Sequence, residues 1–357
     1  MPIAKVTRIS ASAPDDVAGL ETAIARGDIR PEGILAIFGK TEGNGCVNDF
    51  SRGFAAQSLG AMLERHVGAA AREVCLVMSG GTEGGLSPHW LVLERGEGMA
   101  EPGPALAIGR AHTAALAPEH LGRMGQVEQV ADAVRRAMAA ADIADPHAVH
   151  FVQVKCPLLT AARIGAAQAR GASVATTDTL KSMGLSRAAS ALGIALALGE
   201  VAHGDLADAA IGTDAGLWSG RASCSSGIEL MGHEVVVLGM SPVWSGRLAI
   251  AHGVMADAID VAPVKAALAA LGLSPDGAGD QIVVLAKAEA SRSGAIRGRR
   301  HTMLDDSDIS ATRHARAFVG GVLAGLVGHT ELYVSGGAEH QGPDGGGPVA
   351  LIAPRPL

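Results

Sequence analysis

Three lysines, three arginines and three serines recur in one order along the chain. Each lysine closes a short apolar run: 33–40 ends in Lys40, 149–155 in Lys155 and 281–287 in Lys287. Arginines follow at Arg52, Arg187 and Arg316, and each is expected to open a helix rich in Ala and Gly. A serine motif then follows in each: Ser79-Gly80-Gly81-Thr82-Glu83, Ser225-Ser226-Gly227-Ile228-Glu229 and Ser335-Gly336-Gly337-Ala338-Glu339. A serine hydroxyl is a weak nucleophile until a base takes its proton, and a neutral lysine can be that base. Burial and nearby cations lower a lysine pKa, and converging arginines would supply the cations. Glycines after each serine permit tight turns whose N–H groups hold a carbonyl oxygen or its oxyanion. One lysine at a strand end is commonplace, because the stem snorkels. Three copies with matching arginines and serines suggest one pocket for a small ring with three carbonyls.

The elements that must position these groups follow from periodicity and internal repetition. The three lysine-terminated runs read as buried strands, flanked by loop signals. The segments 4–9, 104–109 and 246–251 match as starts of repeats, and helices are expected at 127–141 and 261–271. The predicted fold is α/β, with three pseudo-symmetric repeats around a central site. The units are 1–100, 104–242 and 246–357, divided at Pro102-Gly103-Pro104 and Ser241-Pro242.

Composition excludes several function classes. Hydrophobic residues make up 48% and charged residues 18% of the 357, with 48 glycines, which fits a packed chain rather than a disordered one. A net charge of −7 with 3% aromatics lacks the basic, stacking-rich surface that binds nucleic acid. No apolar run reaches a membrane span, and 1–14 has no signal core, so a cytoplasmic enzyme is expected. The four cysteines form no C-x-x-C pair. Cys156 and Cys224 flank the base and nucleophile positions, but a strand neighbour of Lys155 should face away from the site. His301 with Asp305, Asp306 and Asp308 reads as a solvated loop, and no H-E-x-x-H occurs. Lys5 and Arg8 read as ordinary surface charge. No organic cofactor is expected.

The motifs Met78-Ser79-Gly80-Gly81-Thr82-Glu83-Gly84, Lys155-Cys156-Pro157, Cys224-Ser225-Ser226-Gly227 and Ser335-Gly336-Gly337-Ala338-Glu339-His340-Gln341-Gly342 resemble the cyanuric acid hydrolase/barbiturase family over essentially the whole chain. The resemblance implies three α/β repeats around a central site and hydrolytic opening of a cyclic imide. Cyanuric acid would give carboxybiuret, then biuret and CO₂; barbituric acid would give ureidomalonate. By resemblance Ser225 is the nucleophile and Lys155 its base, with the adjacent Ser226 hydroxyl left open as a rival. Arg52, Ser79, Gly80, Arg187, Ser226, Arg316, Ser335 and Gly336 would bind the ring, with Lys40 and Lys287 in support. The family also implies a structural Mg²⁺ on Glu289, Ala338, Gln341, Gly342, Pro343 and Gly346, and a homotetramer. The residues alone leave open cyanuric against barbituric acid, and a non-catalytic binder of cyclic amides.

Overall fold

The computed structural model describes residues 1–99, 101, 103–274 and 279–356. Pro102, part of the first predicted boundary, lies outside them. The first unit runs β1 (Pro2–Ser10), α1 (Ala18–Ala25), β2 (Ile34–Thr41), α2 (Phe50–Val67), β3 (Cys75–Gly80) and β4 (His89–Glu97). The second runs β5 (Ala105–His112), α3 (Met124–Ala140), β6 (Val149–Cys156), α4 (Ala161–Ala169), α5 (Thr179–Ala197), β7 (Ala222–Ser226) and β8 (Glu234–Ser241). The third runs β9 (Leu248–Met255), α6 (Ala262–Ala270), β10 (Val283–Ala288), the short pair β11 (Ala295–Ile296) and β12 (Arg299–Arg300), α7 (Ala311–Val327), β13 (Tyr333–Gly336) and β14 (Gly347–Pro354).

Each unit folds a four-stranded sheet of one topology. The orders are β1-β4-β2-β3, β5-β8-β6-β7 and β9-β14-β10-β13. In every sheet the lysine strand pairs in parallel with the serine strand and antiparallel with the unit's last strand. The fold is thus a threefold α/β repeat. The lysine strands β2, β6 and β10 are buried almost without interruption, because helices cover one face and the shared centre the other. The serine strands β3, β7 and β13 are sheet edges, and all three contact one another. Meeting at the centre removes them as exposed edges.

The helices differ from the sequence reading in where they begin. Arg52 lies in the first turn of α2, but Arg187 sits in the middle of α5 and Arg316 inside α7. Caps set the starts instead. Asp49 accepts from Ser51 N before α2, and Asp178 accepts from Lys181 N before α5. Arg187 and Arg316 therefore project from helix faces, and only Arg52 from a helix end. Arg8 is also more than surface charge. It pairs with Glu331 at 2.8 Å and donates to Ile282 O, tying β1 to the third unit.

One apolar cluster joins all three sheets, with Phe38, Leu93, Phe151, Val237, Leu285 and Ile352 among its members. Phe38 of the first unit and Tyr333 of the third lie 5.4 Å apart, ring to ring. Separate clusters sit between sheet and helices in the first and third units. Phe151 is fully buried in the shared cluster. Replacing it with Ala should lower unfolding free energy by about 3–5 kcal/mol, through lost burial and the cavity left behind. Urea unfolding followed by circular dichroism checks this.

Candidate active site

Register brings each serine beside its lysine. In the parallel pairs Lys40 lies opposite Ser79, Lys155 opposite Ser225 and Lys287 opposite Ser335. Ser226 falls opposite Cys156, one residue past the lysine. The Ser226 hydroxyl donates to Pro157 O at 3.1 Å. Ser225 Oγ instead lies 3.1 Å from Ser335 Oγ, so two units' hydroxyls touch at the centre. The hydroxyl of Tyr333, the chain's single tyrosine, also neighbours Ser225 and donates to Val77 O at 3.4 Å.

All three lysines are buried, and burial lowers every one of their pKa values. Their partners differ. Lys40 Nζ donates to Ser79 Oγ at 3.4 Å, and burial followed by the Arg316 charge holds it well below the usual lysine range. Lys287 Nζ donates to Ser335 Oγ at 3.3 Å and across the unit boundary to Cys224 O at 3.0 Å. Burial and Arg187 bring it down to about 7. Lys155 Nζ donates to Met78 O of the first unit at 2.7 Å and pairs with Glu229 at 2.6 Å. Burial lowers its pKa too, but the Glu229 charge opposes that shift. The hydrogen bonds of Lys155 do not reach Ser225, although its strand register places it alongside.

The arginines bridge units. Arg187 holds Glu339 through two bonds of 2.8 and 2.6 Å, and Arg316 holds Glu83 through two of 2.9 and 2.6 Å. Such paired guanidinium–carboxylate contacts fix orientation as well as charge. Arg52 departs from the pattern: it donates to Ser226 O at 2.7 Å and pairs with Asp49 at 3.4 Å. Glycine is required beside two of these arginines. A Cβ on Gly337 (φ +76°) would lie 2.5 Å from Arg187, and one on Gly81 (φ +104°) would lie 2.2 Å from Arg316. Both backbones also occupy the left-handed region that favours glycine.

Arg52, Ser79, Gly80, Arg187, Ser225, Ser226, Arg316, Ser335 and Gly336 line one central cavity. The cavity is small, with about 20 Å³ of free space. The three buried lysines lie opposite its three lining serines, Ser79, Ser225 and Ser335, in the parallel strand pairs. Gly45 and Met183 also line the cavity. Sequence reading missed both, since neither belongs to the repeated motif. The chemistry available is serine hydroxyls beside buried amines, donors for carbonyl oxygens and a rim of guanidinium groups, each paired with a carboxylate.

The match to the family described as amidohydrolase ring-opening protein spans residues 5–354. The chain belongs to that ring-opening amidohydrolase family. It is 76% identical to a cyanuric acid amidohydrolase of Azorhizobium caulinodans, with both chains covered in full. It is 60% identical to one from a Bradyrhizobium strain, over 99% of this chain and 98% of the relative. Among solved structures it superposes on the cyanuric acid hydrolase from A. caulinodans with a TM-score of 0.96 at full coverage of both. A second solved cyanuric acid hydrolase, 51% identical, gives 0.95 over 99% of this chain and all of that one.

The thiols beside the site of this ring-opening amidohydrolase are not activated. Burial raises the Cys156 and Cys224 pKa values, and both residues belong to the apolar core. A buried protonated thiol is a small hydrophobe, not a nucleophile. His301, Asp305, Asp306 and Asp308 lie in the loop that precedes α7, where Asp305 pairs with Arg300. Among the described residues no group of three His, Cys, Asp or Glu side chains could hold a metal. A second cavity beside the site is lined by Glu289, Ala338, Gly342 and Pro343. Gln341 turns its amide away from that cavity, its Oε1 accepting from Cys224 N at 2.6 Å. Gly346 packs 2.0 Å, measured from an added Cβ, against Met255 O.

Among the described residues no helix is long and apolar enough to cross a membrane. Gly337→Ala should displace the Arg187 guanidinium while the rest of the fold stays. Its expected effect is at least a tenfold rise in KM with a melting temperature a few degrees below the parent's, read by steady-state kinetics and calorimetry.

Proposed function

We propose that the chain hydrolyses cyanuric acid, with Ser225 as nucleophile and Lys155 as base. The carrying observation is the threefold set of lysine–serine register pairs and arginines around one cavity. Cyanuric acid has the same symmetry: three carbonyls alternating with three N–H groups. The full-length relatives named cyanuric acid amidohydrolase support this ring over barbituric acid. Ser225 Oγ attacks one carbonyl carbon as its proton passes to Lys155. The oxyanion is held by main-chain N–H groups and the arginine rim. The C–N bond breaks, the ring nitrogen takes the proton from Lys155, and an ester to Ser225 remains. Water, deprotonated by Lys155, then cleaves the ester to release carboxybiuret and free Ser225. Carboxybiuret loses CO₂ to give biuret.

Ser225→Ala and Lys155→Ala should each lower kcat by at least about 10³-fold. Ser225→Ala should leave the melting temperature near the parent's, whereas Lys155→Ala, which strands the largely buried Glu229 carboxylate, should lower it while the chain still folds. Biuret release from cyanuric acid, with barbituric acid in parallel, measures this. Near-normal turnover in Ser225→Ala, with loss in Ser335→Ala, would move the assignment to the Lys287 pair. That rival has its own support in the 3.3 Å contact between Lys287 and Ser335.

We also propose a structural Mg²⁺ on Glu289 and the main-chain carbonyls of Ala338, Gln341, Gly342, Pro343 and Gly346. Burial raises the Glu289 pKa, and neighbouring Glu339 raises it further. A cation would relieve that repulsion, and a carboxylate with carbonyls suits a hard ion. When bound it supplies fixed charge, which would steady the loop carrying Glu339 and so Arg187. Chelator should lower the melting temperature by at least about 3 °C, Mg²⁺ should restore it, and Glu289→Gln should abolish the difference. The same reading carries a cytoplasmic homotetramer. Exposed Phe50, Phe54 and Met231 offer apolar surface for contacts between copies, and sedimentation tests it.

A further inference from the structure

The threefold arrangement breaks at one place, and the break concerns charge. Glu83 and Glu339 each hold the arginine of a neighbouring unit through two hydrogen bonds. By the same rule Glu229 should hold Arg52. It pairs instead with Lys155 Nζ at 2.6 Å. The cause lies three residues before each arginine, where the units carry Asp49, Gly184 and Arg313. Only the first unit has a carboxylate there. Asp49 is buried, pairs with Arg52 at 3.4 Å, and accepts from Gly45 N at 2.8 Å. Ser226 O, at 2.7 Å, supplies the guanidinium with another acceptor. Arg52 thus has acceptors without Glu229, and that carboxylate is released to the lysine.

We propose that Glu229 is a positioning residue for Lys155, holding the amine in place and stabilising the ammonium formed when Lys155 takes the Ser225 proton. This rests on the Ser225–Lys155 reading above. It also distinguishes that pair from the other two, since neither Lys40 nor Lys287 has a carboxylate ion-pair partner among the described residues. The role parallels the carboxylate that orients and charge-balances histidine in serine triads. In a buried setting such a charge acts strongly, because little solvent screens it. Burial pushes the Glu229 carboxyl up, but Lys155 and Arg52 outweigh this and hold it ionised.

The sign of the pH effect follows. Lys155 acts as a base only when neutral, so activity rises with pH through its pKa. The groups facing it are Glu229, Arg52 from α2, Glu234 from β8 and Cys156 on its own strand. Of these, Glu229, Glu234 and Cys156 hold the lysine pKa up and Arg52 lowers it. Removing the Glu229 charge lowers the Lys155 pKa, so the acid-side midpoint moves to lower pH.

The test is steady-state kinetics on cyanuric acid across pH for the full chain. Glu229→Gln should lower kcat at least about 100-fold, leave KM within about threefold, and move the acid-side midpoint of kcat down by about one unit or more. Glu229→Asp keeps the charge, so it should lower kcat less and leave the midpoint near the parent's. A midpoint unmoved in the Gln variant, or moved equally in both variants, overturns the proposal. Ser225→Ala separates the two levels. If it turns over normally, the Ser225–Lys155 reading falls and this inference with it. If it is inactive while Glu229→Gln keeps parental kcat, the role of Glu229 alone falls.

Discussion

The structure depends on keeping three amines out of water where three sheets meet. An isolated buried ammonium is costly, by several kcal/mol even after relaxation. Every lysine here is given main-chain or hydroxyl acceptors, two of them across unit boundaries: Met78 O for Lys155 and Cys224 O for Lys287. The same bonds that make burial tolerable join the units. Burial in turn lowers the amines' proton affinity, which a lysine base requires. Stability and reactivity therefore arise from one constraint.

The arginine–glutamate pairs apply that logic at the rim. Arg187 and Arg316 each take a carboxylate from the next unit in the cycle, so rim charge is balanced only when all units are present. Gly81 and Gly337 give those guanidinium groups room. The three four-stranded sheets share one topology, and around the site the units differ in their side chains: Asp49, Ser226, Tyr333 and Glu229. A symmetric ring can bind such a frame in three equivalent ways. Among the three lysine–serine pairs, Lys155 is set apart by its ion pair with Glu229, which neither Lys40 nor Lys287 matches among the described residues.

Much of the fold was legible because repeated short strands leave a clear mark. The runs ending in Lys40, Lys155 and Lys287 are apolar and β-branched, and they form β2, β6 and β10 within a residue or two. Helix starts were less legible. Arg187 and Arg316 looked like helix openings because Ala and Gly follow them, whereas α5 begins at Thr179, capped by Asp178, and α7 begins at Ala311. Arg8 read as surface charge because its partners, Glu331 and Ile282, lie at the far end of the chain.

By itself the sequence determined the threefold repeat and the residue types of the site, since each repeat spells lysine, arginine and serine in order. It also limited the chemistry, because no thiol pair or metal-binding motif competes with the serines. Only tertiary structure decided which atoms face one another. Strand register put Ser225 rather than Ser226 opposite Lys155. In the folded chain Glu229 pairs with Lys155, while Arg52 takes Asp49 and Ser226 O. Such choices depend on distances between units that are remote along the chain, and competition among buried charges is settled only once all partners share one low-dielectric space.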